Sequence, residues 1–241
     1  MNTKNASGEP EIELIFTGFD AFAEHEANPS QLVVERLPQE LELSSKESAV
    51  ITKQILNTCS RKSWEVLEPM LQERMASGKT VVLIMLGLAA DRSSITMERV
   101  GLNLRDYPIA DNSGNHPPVE KIEPEQENAL FSNIPLHEVR RRLAKKGFPV
   151  AVSNHAGTYV CNDLFFRTLS FQKNNPNLLT TLFVHVPGLV NYLLATELGP
   201  ADDEAKLNCY AEIVKALATE VVDVLRTGAG AGEGSRLEAL V

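Results

Sequence analysis

Two segments, Thr80–Leu86 and Leu179–Val186, are apolar along most of their length and lack the polar alternation of a half-solvated strand. A strand can be apolar on both faces only where both faces are covered. Such segments therefore belong inside a sheet with helices packed on either side. The run around the first extends from Val81 to Ala90 with Gly87 inside it, about half the length a membrane span needs.

The rest of the chain supplies the covering helices. Asn28-Pro29-Ser30 before Leu32, Val33, Val34 and Leu37 predicts a helix start, with Asn as N-cap and Pro at the first helical position. Trp64, Leu67, Met70, Leu71 and Met75 fall at helical spacing after Ser60 and stop at Gly78. Leu136–Lys146 is amphipathic and closed by Gly147, Cys161–Phe171 has a helical pattern, and Asp203–Arg226 forms a long closing helix with acids at its positive end. Further strands are expected over 11–16, 48–56, 98–104 and 149–153. The segment 106–128 holds Pro108, Asn112, Gly114, Pro117, Pro118 and Pro124 and reads as one long irregular stretch. Strands alternating with helices predict a single α/β domain over 11–227, a three-layer αβα sandwich around a mostly parallel, mixed sheet. Residues 1–10 and 228–241 read as flexible tails.

Composition excludes several classes. With 23 Lys and Arg against 32 Asp and Glu, the net charge of −9 argues against a nucleic-acid partner, which needs clustered cations. The densest basic run, Arg140-Arg141-Arg142 with Lys145-Lys146, reads as a solvated helix face. The three cysteines, Cys59, Cys161 and Cys209, are widely spaced and form no C-x-x-C pair. A reducing compartment is expected, and neither a metal nor an organic cofactor. No apolar leader opens the sequence, so a cytoplasmic protein without membrane attachment is expected. The glycine-rich segment 228–234 matches no phosphate-binding frame.

Cys161 follows a predicted strand and turn and opens a helix. Unpaired N–H groups at a helix N-terminus favour thiolate over thiol and can hold an oxyanion. A small buried hydrophobe is the equally weighted alternative. His185 lies near the carboxyl end of a strand, where ligand sites gather in open α/β sheets, and could serve as base to a thiol from a neighbouring strand end. Glu98, by itself an ordinary surface carboxylate beside Arg99, could orient that imidazole.

These residues fall in blocks that resemble the pyroglutamyl-peptidase I, or pyrrolidone-carboxylate peptidase, family of cysteine peptidases. The blocks are Thr17–Phe22 with Asn28-Pro29-Ser30, Gly87-Leu88-Ala89 with Arg92 and Ile95–Val100, and Asp111–Asn115 with Pro117. The nucleophile block is Ser153-Asn154 with Ala156–Asn162, and the histidine block is Phe183–Pro187. The likeness spans roughly residues 12–200. It implies removal of an N-terminal pyroglutamate (5-oxoproline) from peptides, with Cys161 as nucleophile, His185 as base and acid, and Glu98 as orienting carboxylate. It implies an apolar slot formed by Phe19, Phe22, Ile109, Tyr159 and Val160, which suits an uncharged lactam. No cofactor is implied, and a homo-oligomer stays open, since the family contains monomers and tetramers.

Several positions depart from the family pattern. Ala21-Phe22-Ala23-Glu24 stands where Pro-Phe-Gly-Gly is usual, and Leu88-Ala89-Ala90-Asp91-Arg92 where Gln-Ala-Gly-Gly-Arg is usual. Pro108 stands for an Arg and Tyr159 for a Phe. The rival readings are an inactive homologue that binds peptide or lactam, an amidase for another small acyl group, and a partner-binding protein with an unreactive thiol.

Overall fold

The seven strands of the main sheet lie in the order β2-β3-β1-β4-β9-β5-β8. These are β1 (Ile12–Phe19), β2 (Glu40–Glu42), β3 (Ser48–Leu56), β4 (Thr80–Ala89), β5 (Ile95–Glu98), β8 (Val150–Ser153) and β9 (Leu178–Pro187). A short separate ribbon pairs β6 (Val100–Leu102) with β7 (Ala129–Phe131). The computed structural model describes residues 11–22, 27–189 and 202–228; the tail expected over 1–10, all but Gly228 of the tail expected over 228–241, and Ala23 and Glu24 lie outside them.

The four strands β3, β1, β4 and β9 run parallel. Strand β5 pairs antiparallel with β9 and parallel with β8, and β2 runs antiparallel to β3. The sheet is thus mixed around a parallel centre. The expectation that the strands before Cys161 and at His185 are neighbours is corrected here. Strand β5 lies between β8 and β9, and both β5 and β8 point against β9.

Strand parity sorts the side chains into two layers. Leu14, Phe16, Val82, Ile84, Leu86, Leu182, Val184 and Val186 face one core. Helices α1 (Pro29–Arg36), α3 (Leu136–Lys145) and α5 (Asp203–Thr227) cover it. Ile15, Val81, Leu83, Met85 and Phe183 face the other, under α2 (Ser60–Ala76) and α4 (Val160–Lys173). Central strand β4 is buried almost throughout, as its unbroken apolarity requires. The α1 start is capped by Asn28, whose side chain accepts from Ser30 N, with Pro29 in the first turn. Gly228, at φ 60°, ends α5 in the left-handed conformation.

The basic run on α3 is only partly a solvated face. Arg141 is exposed, but Arg142 and Lys146 reach the buried Glu220 of α5. Among the described residues, no helix is long and apolar enough to cross a membrane.

Candidate active site

Strand parity also places His185. It shares a face with Phe183, and the two rings lie 4.9 Å apart. On β4, its partner in register is Gly87. A Cβ at Gly87 would stand 2.8 Å from the Phe183 ring and 2.9 Å from Cys161 Sγ. The thiol is therefore seated against the one β4 position beside His185 that carries no side chain. Glycine inside an apolar strand is the sequence signal for such a close approach.

Cys161 reaches that place from the first turn of α4. Tyr159 caps the helix without a side-chain hydrogen bond. The backbone ladder begins only with Asp163 N donating to Tyr159 O, so the amides of Val160, Cys161 and Asn162 precede it. Asn162 pins this turn to β6, with Oδ1 accepting from Leu102 N at 2.8 Å and Nδ2 donating to the carbonyls of Leu102 and Leu104. Asp163 is fully buried and binds Arg105 and Arg167. Arg105 also contacts Glu120 at 3.0 Å, so its guanidinium is held by two carboxylates and does not substitute for the Arg that Pro108 replaces.

Glu98 is the last residue of β5 and 0% exposed, which corrects its reading as a surface carboxylate. Thr96 and Glu98 share the face of β5 that looks toward His185, because Thr96 is the register partner of His185. His185 Nδ1 lies 2.7 Å from Glu98 Oε1. The same oxygen accepts from Arg92 Nη1, which also binds Thr96 Oγ1, and Arg92 Nη2 reaches Ser153 Oγ at 3.3 Å. Burial opposes the charge on Glu98, yet His185, Ser153 and Arg92 beside it hold its pKa below the ordinary carboxylate value.

Burial dominates the other two groups. It lowers the pKa of His185 against the pull of Glu98, with Arg92 lowering it further and Asp91 raising it. Burial, with the Glu98 charge, pushes the Cys161 thiol up to about 12, while Arg92 and the residue's own amide act the other way. Burial thus disfavours charge on both the thiol and the imidazole. The helix N-terminus by itself favours the thiolate, and desolvation acts in the opposite direction.

Cys161 also borders a cavity of ≈ 170 Å³ lined by Phe19, Phe22, Tyr159, Val160, Leu88 and Ala90, with Asn28 and Thr58. Four of the five residues expected to form an apolar slot are therefore together. The fifth, Ile109, is 48% exposed and not among the lining residues. Tyr159 sits between Phe22 and Tyr107, at 5.4 and 4.6 Å. Its hydroxyl, absent from the family pattern, donates to Ala110 O at 3.0 Å and ties the nucleophile turn to the irregular segment. Asn28 uses its amide on Ser30 and the Asp20 carbonyl, and Asp20 also accepts from Thr58 N. Asn28 was legible as a cap but not as cavity wall. Leu88 and Ala90 were legible only as departures within a family-like block, and Thr58 carried no signal of its own.

Residues 12–227 match the family model described as pyroglutamyl peptidase. A pyrrolidone-carboxylate peptidase of Thermosipho africanus is 37% identical over 183 residues, 76% of this chain and 85% of the relative. Among solved structures, pyroglutamyl peptidase I of Bacillus amyloliquefaciens superposes with a TM-score of 0.71 at 30% identity, covering 87% of this chain and 96% of that one. The pyrrolidone carboxyl peptidase of Thermococcus litoralis gives 0.76 at 28% identity, covering 90% and 96%. With the fold, the Cys161–Gly87–His185 arrangement and these matches in agreement, the chain belongs to the pyroglutamyl peptidase family of cysteine peptidases.

Proposed function

We propose that this enzyme removes an N-terminal pyroglutamyl residue from peptides with Cys161 as nucleophile, His185 as general base and acid, and Glu98 as the group that orients His185. The observation that carries the reading is the thiol seated against Gly87, the register partner of His185, at the edge of an apolar cavity. The lactam enters the slot between Phe19, Phe22, Tyr159 and Val160, where an uncharged ring costs less to bury than a charged amine once its amide is hydrogen-bonded. Ile109 meets the substrate from outside the slot, beside Ala110.

His185 Nε2 takes the Cys161 proton while Nδ1–H stays on Glu98. Sulfur bonds to the pyroglutamyl carbonyl carbon, and the first-turn amides of α4 face the developing oxyanion. The C–N bond then breaks, and the amine leaves with the proton from His185. Water, deprotonated by His185, hydrolyses the thioester. The proton moves from Cys161 to His185 as the sulfur attacks the carbonyl carbon, so that proton transfer is part of the acylation step. A cytoplasmic setting agrees with a catalytic thiol that must stay reduced.

The test is release of a fluorophore from a pyroglutamyl amide under thiol reductant. Cys161→Ala is expected to lower turnover by at least about 10³-fold with the circular dichroism spectrum unchanged. A folded wild type that leaves this amide intact but is acylated at Cys161 by another small amide would overturn the substrate assignment.

A further inference from the structure

The Glu98 carboxylate is used unevenly. Oε1 takes His185 Nδ1, Arg92 Nη1 and, at 3.4 Å, Thr96 Oγ1. Oε2 is buried with no hydrogen-bond partner. Arg92 comes from the turn after β4 and spans β5 and β8 through Thr96, Glu98 and Ser153. The imidazole and the guanidinium therefore compete for one oxygen, and Arg92 already neutralises the Glu98 charge.

We propose that Arg92 is a positioning residue of this site, holding Glu98 so that its charge is balanced before His185 is counted and so disfavouring a proton on the resting imidazole. The inference rests on the assignment of Cys161, His185 and Glu98 as the reacting set. A buried Glu98 without Arg92 would be an unbalanced anion 2.7 Å from Nδ1, and a proton on His185 would restore neutrality. With Arg92 present, that proton would leave a net positive charge in a poorly solvated site. The same positive charge makes the imidazolium formed during attack a stronger acid toward the leaving amine. The groups that act on His185 are Glu98 from β5, Arg92 and Asp91 from the turn after β4, Cys161 from α4, and the Phe183 ring from its own strand. Asp91 opposes Arg92, but it is exposed and forms no ion pair among the described residues.

Arg92→Gln and Arg92→Lys separate charge from packing. In ¹⁵N-labelled protein, the imidazole nitrogens of His185 can be titrated by NMR with no substrate present. Arg92→Gln is expected to raise the His185 midpoint by about one pH unit or more, the size expected for loss of a neighbouring charge. The acidic limb of kcat/KM on a pyroglutamyl amide should move to higher pH by the same amount, with kcat falling and KM nearly unchanged. Arg92→Lys keeps the charge and should leave the midpoint near the wild-type value. An unmoved midpoint in folded Arg92→Gln, or a Lys variant shifted as far as the Gln variant, overturns the proposal. A wild type that fails to cleave the amide would instead defeat the functional reading, while the NMR midpoints would still decide the role of Arg92.

Discussion

At Cys161 the helix terminus and the protein interior pull in opposite directions, and the interior wins. The consequence extends from reactivity to stability. His185 has its pKa lowered from 6.5 and Glu98 from 4.5. The stability each contributes is present above those values and is lost as pH falls through and below them. Cys161 has the reverse sign. Its pKa rises from 9.0 to about 12, so its contribution is complete below 9.0 and is lost as pH climbs toward 12. Urea midpoints should therefore plateau between pH 7 and 9 and decline on both sides, each group adding a slope of at most about 1.4 kcal/mol per pH unit. Cys161→Ala should flatten the alkaline decline relative to wild type; an identical slope in both proteins would show that the thiol is not the group responsible. Cys161, His185 and Glu98 were readable as candidate site residues because each sits in a short block whose neighbours are local in sequence. The protonation state was not, because it depends on what β4, β5 and β9 stack around the sulfur.

Among the elements, β4 lies hard against Cys161 of α4 and Phe183 of β9 at Gly87. Gly87→Ala should cost about 1–3 kcal/mol, the usual range for overpacking a filled interior, and should lower kcat by moving Sγ or the Phe183 ring. Thermal denaturation and turnover measured on the same sample check both; full activity would mean that the strand and helix can part without disturbing the thiol. A contrasting contact is at Gly18, where a Cβ would strike the Ser30 backbone at 2.7 Å, so that the main chains of β1 and α1 touch directly there. The long elements were legible for a simple reason. Helix α2, with Leu67, Leu71 and Met75 buried, and the apolar β4 and β9 repeat their signal over several turns or pleats. Strands β2 and β7 have three residues each, too few for a period to emerge. The expected strand over 98–104 is divided, with Glu98 ending β5 and Val100–Leu102 forming β6 in a separate ribbon. That division places Glu98 under the sheet face and sends Leu102 to meet Asn162.

For the molecule as a whole, both cores rest on the same strands. Leu14 and Ile15, or Val82 and Leu83, are successive residues that belong to opposite layers. Neither layer can open without stripping the sheet it shares with the other. We therefore expect one cooperative transition for residues 11–227, with equal calorimetric and van't Hoff enthalpies; two resolved transitions would divide the domain. The three layers followed from local patterns, but strand order did not, since the choice of β5 as the partner of β9 is made between segments some 90 residues apart along the chain. That long-range pairing also bears on how the enzyme comes into being. Loop closure between distant strands is slow and entropically costly, and β9 is the last of the described strands to be synthesised. Until it docks, Glu98 has no imidazole to hold and Cys161 no Phe183 to rest on. A nascent or truncated chain therefore carries a thiol but no peptidase, and hydrolytic competence arrives only with the completed sheet.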